Sequence, residues 1–431
     1  MGVSARGCAR GGVLGLFLFD LRFGADAFSF FYYFCKLFHA FFPMENFIVS
    51  ARKYRPDTFR SVVGQGHITS TLQNAIKQGK LAQAFLFCGP RGVGKTTCAR
   101  ILAKAINCEN FGENMEPCNS CPSCNDFNNG SSMNIFELDA ASNSGVDEAR
   151  ELIRQVSIPP QTGRYKVYII DEVHMLSQNA FNALLKTLEE PPAYAKFILA
   201  TTEKHKIIPT ILSRCQVFDF NRISLQDIVN HLEYVAKSEG VSCEKDVLHL
   251  IARKADGGMR DALSTFDQLV SFTGGNMTRE ACLQNLNMLD SGYFFRMVDN
   301  FLKGDIASSL LLYKEILDKG FDGQHFITGL SEHLRNLMVA IDPATHPLLE
   351  VSDNDRALYG EQAARCGIGL ILKYLTLASD YEYRYRDAGN KRLFTEVCLM
   401  RLCDQRSAVS GQQAAGSGQQ AAVSGQQAAG S

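Results

Sequence analysis

A glycine-rich segment that ends in Lys-Thr is the strongest chemical signal in the sequence. Residues 89–96 read Gly-Pro-Arg-Gly-Val-Gly-Lys-Thr and fit the pattern G-x-x-x-x-G-K-[ST]. The glycines let backbone N–H groups face a phosphate, Lys95 can reach its oxygens, and the Thr96 hydroxyl is a ligand for Mg²⁺. A chance glycine-rich turn is the alternative, but an apolar run precedes the segment and a helical pattern follows it. We predict a site for ATP and Mg²⁺ formed by Gly89, Pro90, Arg91, Gly92, Val93, Gly94, Lys95, Thr96 and Thr97.

Two adjacent carboxylates follow the apolar run 167–170. Asp171 and Glu172 stand where a buried strand would end, and parallel α/β sheets bind ligands at the carboxyl ends of their strands. We expect Asp171 to organise Mg²⁺ and Glu172 to orient the attacking water, because phosphoryl transfer depends on positioning and charge stabilisation. Capping of the next helix is the alternative role. Together with Lys95, the pair indicates hydrolysis of the nucleotide.

Four cysteines lie at the spacing of a metal site. Cys108, Cys118, Cys121 and Cys124 read C-x9-C-x2-C-x2-C, and two successive C-x-x-C steps bring thiolates within reach of one tetrahedral Zn²⁺. Four sulfur ligands leave no position for a water, so the expected role is structural. Unliganded thiols are the alternative here. Buried free thiols are the expectation for Cys8, Cys35, Cys88, Cys98, Cys215, Cys243, Cys282, Cys366, Cys398 and Cys403.

The apolar patterns predict the elements that position these groups. Short apolar runs at 84–88, 135–138, 167–170 and 197–200 alternate with helical patterns, which is typical of a parallel α/β sheet covered on both faces. After about Arg222 the pattern becomes 3.6-periodic and no further strand is expected. We predict a sheet domain over 44–222 with a zinc module at 108–124, a helical domain over 223–289 and a second over 290–404.

Composition limits the remaining functions. The chain has 431 residues, 46% hydrophobic content and a formal net charge of −1, so any DNA contact must be local. No apolar run reaches the roughly 18 to 20 residues of a spanning helix. The Phe-rich segment 1–43 lacks a small-residue cleavage site, so we interpret it as an over-extended start and not a signal peptide. Residues 405–431 are of low complexity and are expected to be disordered.

Several motifs together resemble the gamma/tau family of bacterial DNA polymerase III, which are AAA+ clamp-loader ATPases. The resemblance spans roughly residues 46–404. It is carried by Arg52-Lys53-Tyr54-Arg55-Pro56, Val62-Val63-Gly64-Gln65, the glycine-rich segment, Asp171-Glu172-Val173-His174-Met175-Leu176, Leu184 to Pro192 and Ser213-Arg214-Cys215. The family carries the same four-cysteine module. The resemblance implies a helical lid and a helical collar after the sheet domain, and a five-subunit ring that opens the sliding clamp.

The resemblance also assigns roles to single residues. It implies that Arg214 reaches the ATP of a neighbouring subunit, that Thr202 senses the γ-phosphate region and that Arg260 is brought onto the nucleotide by the lid. Tyr54, Pro56 and Val63 would wall the adenine pocket. The alternatives are a surface arginine paired with a local carboxylate for Arg214, a strand-end cap for Thr202 and ordinary apolar contacts for the three wall residues.

The expected partners are other clamp-loader subunits including copies of this chain, the sliding clamp and primer–template DNA, in the cytoplasm at the nucleoid and with no membrane. Arg150, at the start of a predicted helix, could hold a DNA phosphate, and a solvated helix start is the alternative. Only the low-complexity tail follows Arg406, which leaves polymerase and helicase contacts of the tau type doubtful. Two rival functions are another AAA+ DNA motor, such as a branch-migration helicase, and a ring member that binds nucleotide without cleaving it.

Overall fold

The structure is a computed structural model that describes residues 48–112, 115–143, 145–160, 163–349, 351 and 353–405. The predictions for segment 1–43 and for the low-complexity tail beyond Gln405 lie outside the described residues. None of the helices in these ranges is long and apolar enough to cross a membrane.

A five-stranded parallel sheet forms the first part of the chain. Its strands are β1 (Ala84–Cys88), β2 (Ile135–Asp139), β3 (Lys166–Asp171), β4 (Ala195–Thr201) and β5 (Gln216–Asp219). They lie in the order β2-β3-β4-β1-β5, and each pairs in parallel with its neighbours. The predictions of β1 to β4 are confirmed, with ends that differ by at most two residues. The sequence pattern does not reveal β5, because Phe218 alone of its four residues is fully buried.

Helices cover both faces of the sheet, as predicted. The helices of this part of the chain are α1 (Ser50–Lys53), which packs against the lid, α2 (Gly66–Lys77), α3 (Lys95–Asn107), α4 (Pro122–Asn128), α5 (Val146–Val156), α6 (Gln178–Glu189) and α7 (Pro209–Leu212). Alternate side chains of β1 enter two cores: Phe85 and Phe87 pack with α2 and α3, whereas Leu86 packs with α5 and α6. This period-2 alternation is what fixes β1 between two helical layers.

The lid follows the sheet and consists of α8 (Leu225–Glu239), β6 (Ser242–Cys243), α9 (Lys245–Lys254), α10 (Met259–Thr273), β7 (Asn276–Met277) and α11 (Arg279–Leu286). Its helices enclose an apolar core of their own. The expectation that no strand follows Arg222 is wrong, because β6 and β7 pair in parallel. Two-residue strands are too short to produce a period-2 pattern in the sequence.

The collar is the second helical part. It contains α12 (Ser291–Lys303), α13 (Ile306–Asp318), α14 (Gly323–Ala340), α15 (Asp353–Cys366), α16 (Ile368–Arg384) and a last helix, α17, over 391–405. Asp290, Asp305 and Asp322 precede α12, α13 and α14, and each carboxylate accepts a backbone N–H of the first turn. Such capping satisfies N–H groups that have no partner within the helix.

Candidate nucleotide site

The glycine-rich segment forms the turn between β1 and α3. Gly89, Gly92 and Gly94 have φ of 149°, 77° and 101°, a backbone region that favours glycine. A Cβ atom on Gly89 would lie 2.5 Å from the carbonyl oxygen of Phe220. The glycines are therefore required by the backbone path itself. The N–H of Gly89 donates to the carbonyl oxygen of Thr201 at 3.2 Å, and the N–H groups that follow it in the turn can face an anion.

Lys95 is buried beneath this turn. Its side chain donates from Nζ to the carbonyl oxygens of Gly89 at 2.9 Å and Pro90 at 2.8 Å. Burial lowers the pKa of the ammonium group, while the nearby carboxylates of Glu172 and Asp171 act in the opposite direction. The cation is held at the glycine turn by two backbone acceptors, and its third N–H remains for a phosphate oxygen.

Thr96 and Asp171 bring two oxygen ligands together. The Thr96 hydroxyl on the first turn of α3 donates to Asp171 Oδ2 at the end of β3, at 2.6 Å. The other carboxylate oxygen, Oδ1, accepts the backbone N–H of Glu172 at 3.0 Å. A hydroxyl and a carboxylate at the glycine turn are oxygen donors of the kind that Mg²⁺ prefers, and the pair fits the ion.

Glu172 has a left-handed backbone conformation, with φ of 48°. Its Oε2 accepts from the backbone N–H and the hydroxyl of Thr202, at 3.2 and 3.0 Å. His174 Nδ1 lies 3.4 Å from the same oxygen and 3.1 Å from the hydroxyl of Thr201. The carboxylate is therefore oriented by β4 and by a buried histidine, and Thr202 contacts Glu172 directly.

The first turn of α10 connects the lid to the glycine turn. The backbone N–H of Arg260 donates to the carbonyl oxygen of Gly92 at 3.4 Å, and Ile223 N donates to Gly257 O at 3.1 Å. A Cβ atom on Gly258 would lie 3.1 Å from the carbonyl oxygen of Arg91. Within the described ranges, the guanidinium of Arg260 forms no hydrogen bond or ion pair, so it is available to a ligand at this turn.

The strap, residues 50–61, joins the lid to the sheet domain. Tyr54 donates from its hydroxyl to Glu239 Oε1 at 2.6 Å, and Tyr54 and Val63 pack against the lid core. Pro56 is half-buried. Arg55 donates from Nε to the Thr97 hydroxyl at 3.2 Å, which places its guanidinium beside the first turn of α3. Arg55 remains exposed overall, but partial desolvation beside α3 lowers the pKa of its guanidinium, and the charge of Arg100 adds to this effect.

Arg214 lies at the opposite edge of the sheet. The register pairs Phe85 with Gln216, so Arg214 precedes β5 at the amino edge, whereas the glycine turn follows β1 at the carboxyl edge. Arg214 stands two residues before the Phe85–Gln216 pair and Gly89 stands four residues after it. At about 3.3 Å per residue along a strand, Arg214 and the start of the glycine turn are therefore roughly 20 Å apart in the strand direction. In the single chain, Arg214 donates to Glu189 Oε1 at 2.7 Å and to the Thr210 carbonyl at 2.8 Å. It pairs with a local carboxylate and does not reach its own chain's glycine turn.

The four spaced cysteines converge in the cysteine module, residues 108–128. Their sulfur atoms all lie within 4.8 Å of one another, and the sulfurs of Cys118 and Cys124 are 4.0 Å apart. Zn–S bonds of about 2.3 Å give a tetrahedron with edges of roughly 3.8 Å, so the cluster fits Zn²⁺. A backbone N–H of Ser120 lowers the pKa of the Cys118 thiol to about 6, whereas burial raises the pKa of Cys108.

Arg150 lies apart from these groups, on α5. Its guanidinium is exposed and pairs with Asp147 at 3.3 Å, one turn earlier on the same helix. Such exposed pairs contribute little to stability, so the arginine can exchange its partner for a phosphate at small cost.

Comparison with known proteins identifies the family. Three family models match in succession: "DNA polymerase III, delta subunit" over 64–224, "DNA polymerase III clamp loader subunit, ATPase lid domain" over 227–275 and "DNA polymerase III subunits gamma and tau domain III" over 277–415. The gamma subunit of Buchnera aphidicola subsp. Schizaphis graminum is 36% identical over 333 residues, 77% of this chain and 92% of that protein. The chain belongs to the DNA polymerase III gamma/tau family. The predicted AAA+ sheet, lid and collar organisation agrees with this membership.

Members of the gamma/tau family differ in length. The tau subunit of Bacillus subtilis strain 168 is 42% identical over 353 residues, which cover 82% of this chain and 62% of that protein. The chain thus spans less than two thirds of the length of this relative. Among solved structures, the Thermotoga maritima RuvB Holliday junction branch migration motor matches with a TM-score of 0.42 and 17% identity, over 58% of this chain and 79% of that one. A likeness at this level carries no functional argument.

The sequence alone does not assign a role to two residues beside the candidate nucleotide site. Arg55 lies beside predicted wall residues, and its proximity to Thr97 spans 42 positions of the chain. His174 stands two positions after Glu172, and a histidine beside an expected catalytic carboxylate is a usable signal. The structure brings Lys95, Thr96, Asp171, Glu172, Thr202 and the Arg260 backbone to one edge of the sheet, and it leaves Arg214 and Arg150 elsewhere.

Proposed function

We propose that this chain is an ATP-hydrolysing subunit of the clamp-loader ring of the bacterial replicative DNA polymerase, which opens the sliding clamp and loads it onto primed DNA. Its partners would be other clamp-loader subunits, the clamp and primer–template DNA, in the cytoplasm at the nucleoid. Family membership supports this role. The observation that carries it is the position of Arg214 at the sheet edge opposite the glycine turn.

Because Arg214 and the glycine turn lie at opposite ends of the strands, the proposed site would be incomplete within one chain and complete between two chains. Arg214 is held on the surface by Glu189 and by the Thr210 carbonyl, and the glycine turn opens at the far end of the strands. When copies are arranged head to tail in a ring, the amino edge of one chain meets the carboxyl edge of the next. Arg214 would then stabilise the transition-state charge on its neighbour's ATP, an effect of about 10³ to 10⁵ in rate.

The residues at the carboxyl edge would divide the remaining work. The glycine-turn N–H groups, Lys95 and the Thr97 region would bind the phosphates, and Thr96 with Asp171 would hold Mg²⁺, which neutralises phosphate charge when bound. Glu172 would orient the attacking water. Its carboxylate is presently held by both donors of Thr202. Thr202 would therefore set the position of the base as well as sense the γ-phosphate.

The lid would connect nucleotide state to ring shape. Arg260 lies in the first turn of α10 and its backbone N–H donates to the Gly92 carbonyl of the glycine turn. Its guanidinium, which has no partner among the described residues, would contact the γ-phosphate region. ATP would favour one placement of lid against sheet, and hydrolysis would remove the contacts that hold it. Tyr54, Pro56 and Val63, between the lid core and the sheet, would wall the adenine pocket.

The other proposed sites are structural or electrostatic. Cys108, Cys118, Cys121 and Cys124 would hold a structural Zn²⁺ that shapes the module without taking part in hydrolysis. Arg150 at the exposed face of α5 would contact a DNA phosphate, so DNA binding should be salt-sensitive and without sequence preference. The sheet domain (44–222), lid (223–289) and collar (290–404) would be the three parts of the subunit.

The rival functions have less support. A branch-migration motor is disfavoured because the matching family models are all domains of DNA polymerase III subunits. A ring member that binds ATP without cleaving it is disfavoured because the chain carries every residue proposed here for hydrolysis. These are Lys95, Asp171 and Glu172, and two hydrogen bonds from Thr202 orient the Glu172 carboxylate. Turnover measurements separate these alternatives.

A mixed-ring experiment tests the proposal. The full chain is assembled with the remaining clamp-loader subunits, and ATP turnover is measured with clamp and primed DNA. Rings containing only Lys95→Ala or only Arg214→Ala subunits should be inactive. Rings that combine the two should recover part of the activity, because a Lys95→Ala subunit still supplies Arg214 to the intact pocket of an Arg214→Ala neighbour.

Arg164→Ala is the matched control, since this exposed arginine also precedes a strand at the amino edge of the sheet. It should leave turnover within about twofold of wild type, as surface substitutions usually do. Absence of any recovery in the mixed rings, or full turnover by the isolated single chain, contradicts the proposal of a shared site.

A further inference from the structure

The cysteine module holds the strap through one carboxylate. Glu116 Oε2 accepts the backbone N–H of Phe59 at 2.8 Å, and Oε1 accepts the N–H of Arg60 at 2.9 Å and the amide of Gln73 at 3.1 Å. An ionised carboxylate only accepts hydrogen bonds, and here three donors converge on it. Charge-assisted bonds of this kind are roughly twice as strong as neutral ones. Glu116 is therefore built to fix the end of the strap.

The module keeps Glu116 in place with an unusual backbone. Met115 and Asn119, on either side of Glu116 and Cys118, have φ of 61° and 57°, in the left-handed region. Asparagine enters this region more readily than most residues, whereas a methionine rarely adopts it. Asn119 also donates from Nδ2 to Asp57 Oδ2 of the strap at 3.0 Å. The surrounding structure must hold such a loop in shape. The four-sulfur cluster, which includes the intervening Cys118, is the structure that can do so.

The other end of the strap reaches the nucleotide site. Arg55 Nε donates to the hydroxyl of Thr97 at 3.2 Å, and Thr97 directly follows the proposed Mg²⁺ ligand Thr96. Asp171 and Arg260 are among the charges that act on the Arg55 guanidinium. A cation beside the first turn of α3 lies where the helix N-terminus already favours a phosphate.

The module also contacts α3 itself. The Arg100 guanidinium lies 4.6 Å from the centre of the Phe127 ring and pairs with Glu137. Lys104 Nζ lies 3.4 Å from Asn128 Oδ1. The strap, α3 and the cysteine module thus contact one another in pairs. A change in the module has two short routes to the glycine turn, one through the strap and one through α3.

We propose that the cysteine module is a positioning element of the nucleotide site, in which Glu116 fixes the strap so that Arg55 binds a phosphate of ATP. Glu116 is a positioning residue, because it touches the strap and not the nucleotide. Arg55 is the residue that would touch the substrate. The inference rests on the proposed ATP site. It gives the metal-binding module a part in nucleotide affinity, in addition to its local structural role.

A double-mutant cycle tests the inference. The dissociation constant of a fluorescent ATP analogue with Mg²⁺ is measured on the full chain for Glu116→Ala, Arg55→Ala and the double variant. Each single change should weaken binding by about tenfold, consistent with loss of a charge-assisted contact. The double variant should bind the analogue no more weakly than the single variant with the lower affinity, because both changes remove the same contact. Additive losses would overturn the proposal.

Structural damage is separated from positioning by further measurements. Zinc content should match wild type in Glu116→Ala and the chain should remain folded with a lower melting temperature, while trypsin should cleave the strap faster at Lys53 and Arg60. Glu116→Gln keeps one acceptor oxygen and should lie between wild type and Glu116→Ala. Glu109→Ala, an exposed carboxylate of the same module, is the control and should change neither affinity nor cleavage. If Glu116→Ala alone proves unfolded, the cleavage and affinity data for Glu116→Gln decide.

Removal of the metal tests the positioning role of the cysteine module independently of the substitutions. Chelation that releases zinc should raise the cleavage rate of the strap and weaken binding of the analogue, by about as much as Glu116→Ala. Unchanged cleavage and affinity after verified zinc release would overturn the proposal. Failure of the shared ring site would appear as failed recovery in mixed rings, while these single-chain affinities would be unaffected. The two ideas can therefore fail separately.

Discussion

The nucleotide edge of the sheet, meaning the carboxyl ends of its strands together with the glycine turn, buries titratable side chains, and so does the core of the collar. The two regions differ in how completely the polar atoms of these side chains are hydrogen-bonded. At the nucleotide edge, Lys95 is held by two backbone carbonyls and keeps an N–H for a ligand. In the collar, His333 is 1% exposed, and both of its ring nitrogens are hydrogen-bonded, Nδ1 to the Tyr359 hydroxyl at 2.9 Å and Nε2 to Gln362 Oε1 at 3.2 Å. Burial alone does not mark a functional site. An incomplete set of partners beside an opening does.

The collar network continues from His333 through Gln362 to the surface of the collar. Gln362 donates to the Phe295 carbonyl and to Asp299 Oδ1, and Asp299 pairs with Arg365 at 3.1 Å. Every polar group in this chain of contacts meets a partner. Its expected contribution is to a single well-defined collar packing. Changes in the two regions should therefore separate function from stability.

Replacing Glu172 should give the largest effect and the sharpest contrast. Glu172→Gln keeps the shape of the side chain but removes the charge that polarises water, so turnover by the assembled ring should fall by roughly 10²- to 10⁴-fold. ATP affinity should change little. Glu203→Gln is the control, since Glu203 lies 3.4 Å from the other ring nitrogen of His174, and in the described residues the Thr202 donors bond to Glu172 instead. Equal losses in both variants would argue against a special role for Glu172.

Lys95→Ala tests whether the nucleotide edge serves binding more than folding. Loss of the buried ammonium group should weaken ATP binding by about a hundredfold, because the phosphates lose a desolvated charge partner. The melting temperature without nucleotide should stay close to wild type, since Lys95 has backbone carbonyls alone as hydrogen-bond partners in the described residues. Titration with a fluorescent ATP analogue measures the affinity. Exposed Lys80→Ala is the control, and a large loss of stability in Lys95→Ala would break the comparison.

The collar should show the reverse behaviour as pH falls. Burial lowers the pKa of His333 to about 4, against an unfolded value of about 6.5. The unfolded state therefore binds a proton between these values, and stability falls as pH decreases from about 6.5 toward 4, by about 3 kcal/mol in total. Denaturant unfolding of wild type and His333→Gln across this range measures the difference. The variant should lose this part of the pH dependence, and exposed His325→Gln should retain it.

The parts of the candidate site that lie close together along the chain could be predicted from the sequence. The glycine turn follows from eight consecutive residues, and Asp171 with Glu172 from a strand end, so their meeting at one sheet edge could be predicted. Glu116 and Arg55 could not, because their contacts with Phe59 and Thr97 join positions 57 and 42 residues apart. The lid strands were missed for a different reason, since two residues cannot show a period.

Arg150 gives the smallest expected effect and tests whether α5 extends the functional surface beyond the nucleotide edge. Its pair with Asp147 is exposed, so exchange of that partner for a DNA phosphate costs little. Arg150→Ala should lower the slope of log affinity against log salt by about one for primed DNA, with a loss of affinity that is the same for different sequences. Arg154→Ala is the matched control, because Arg154 on the same helix pairs with Glu151 at the same i,i+3 spacing. An unchanged slope in Arg150→Ala would limit the functional surface of the sheet domain to its nucleotide edge and to Arg214.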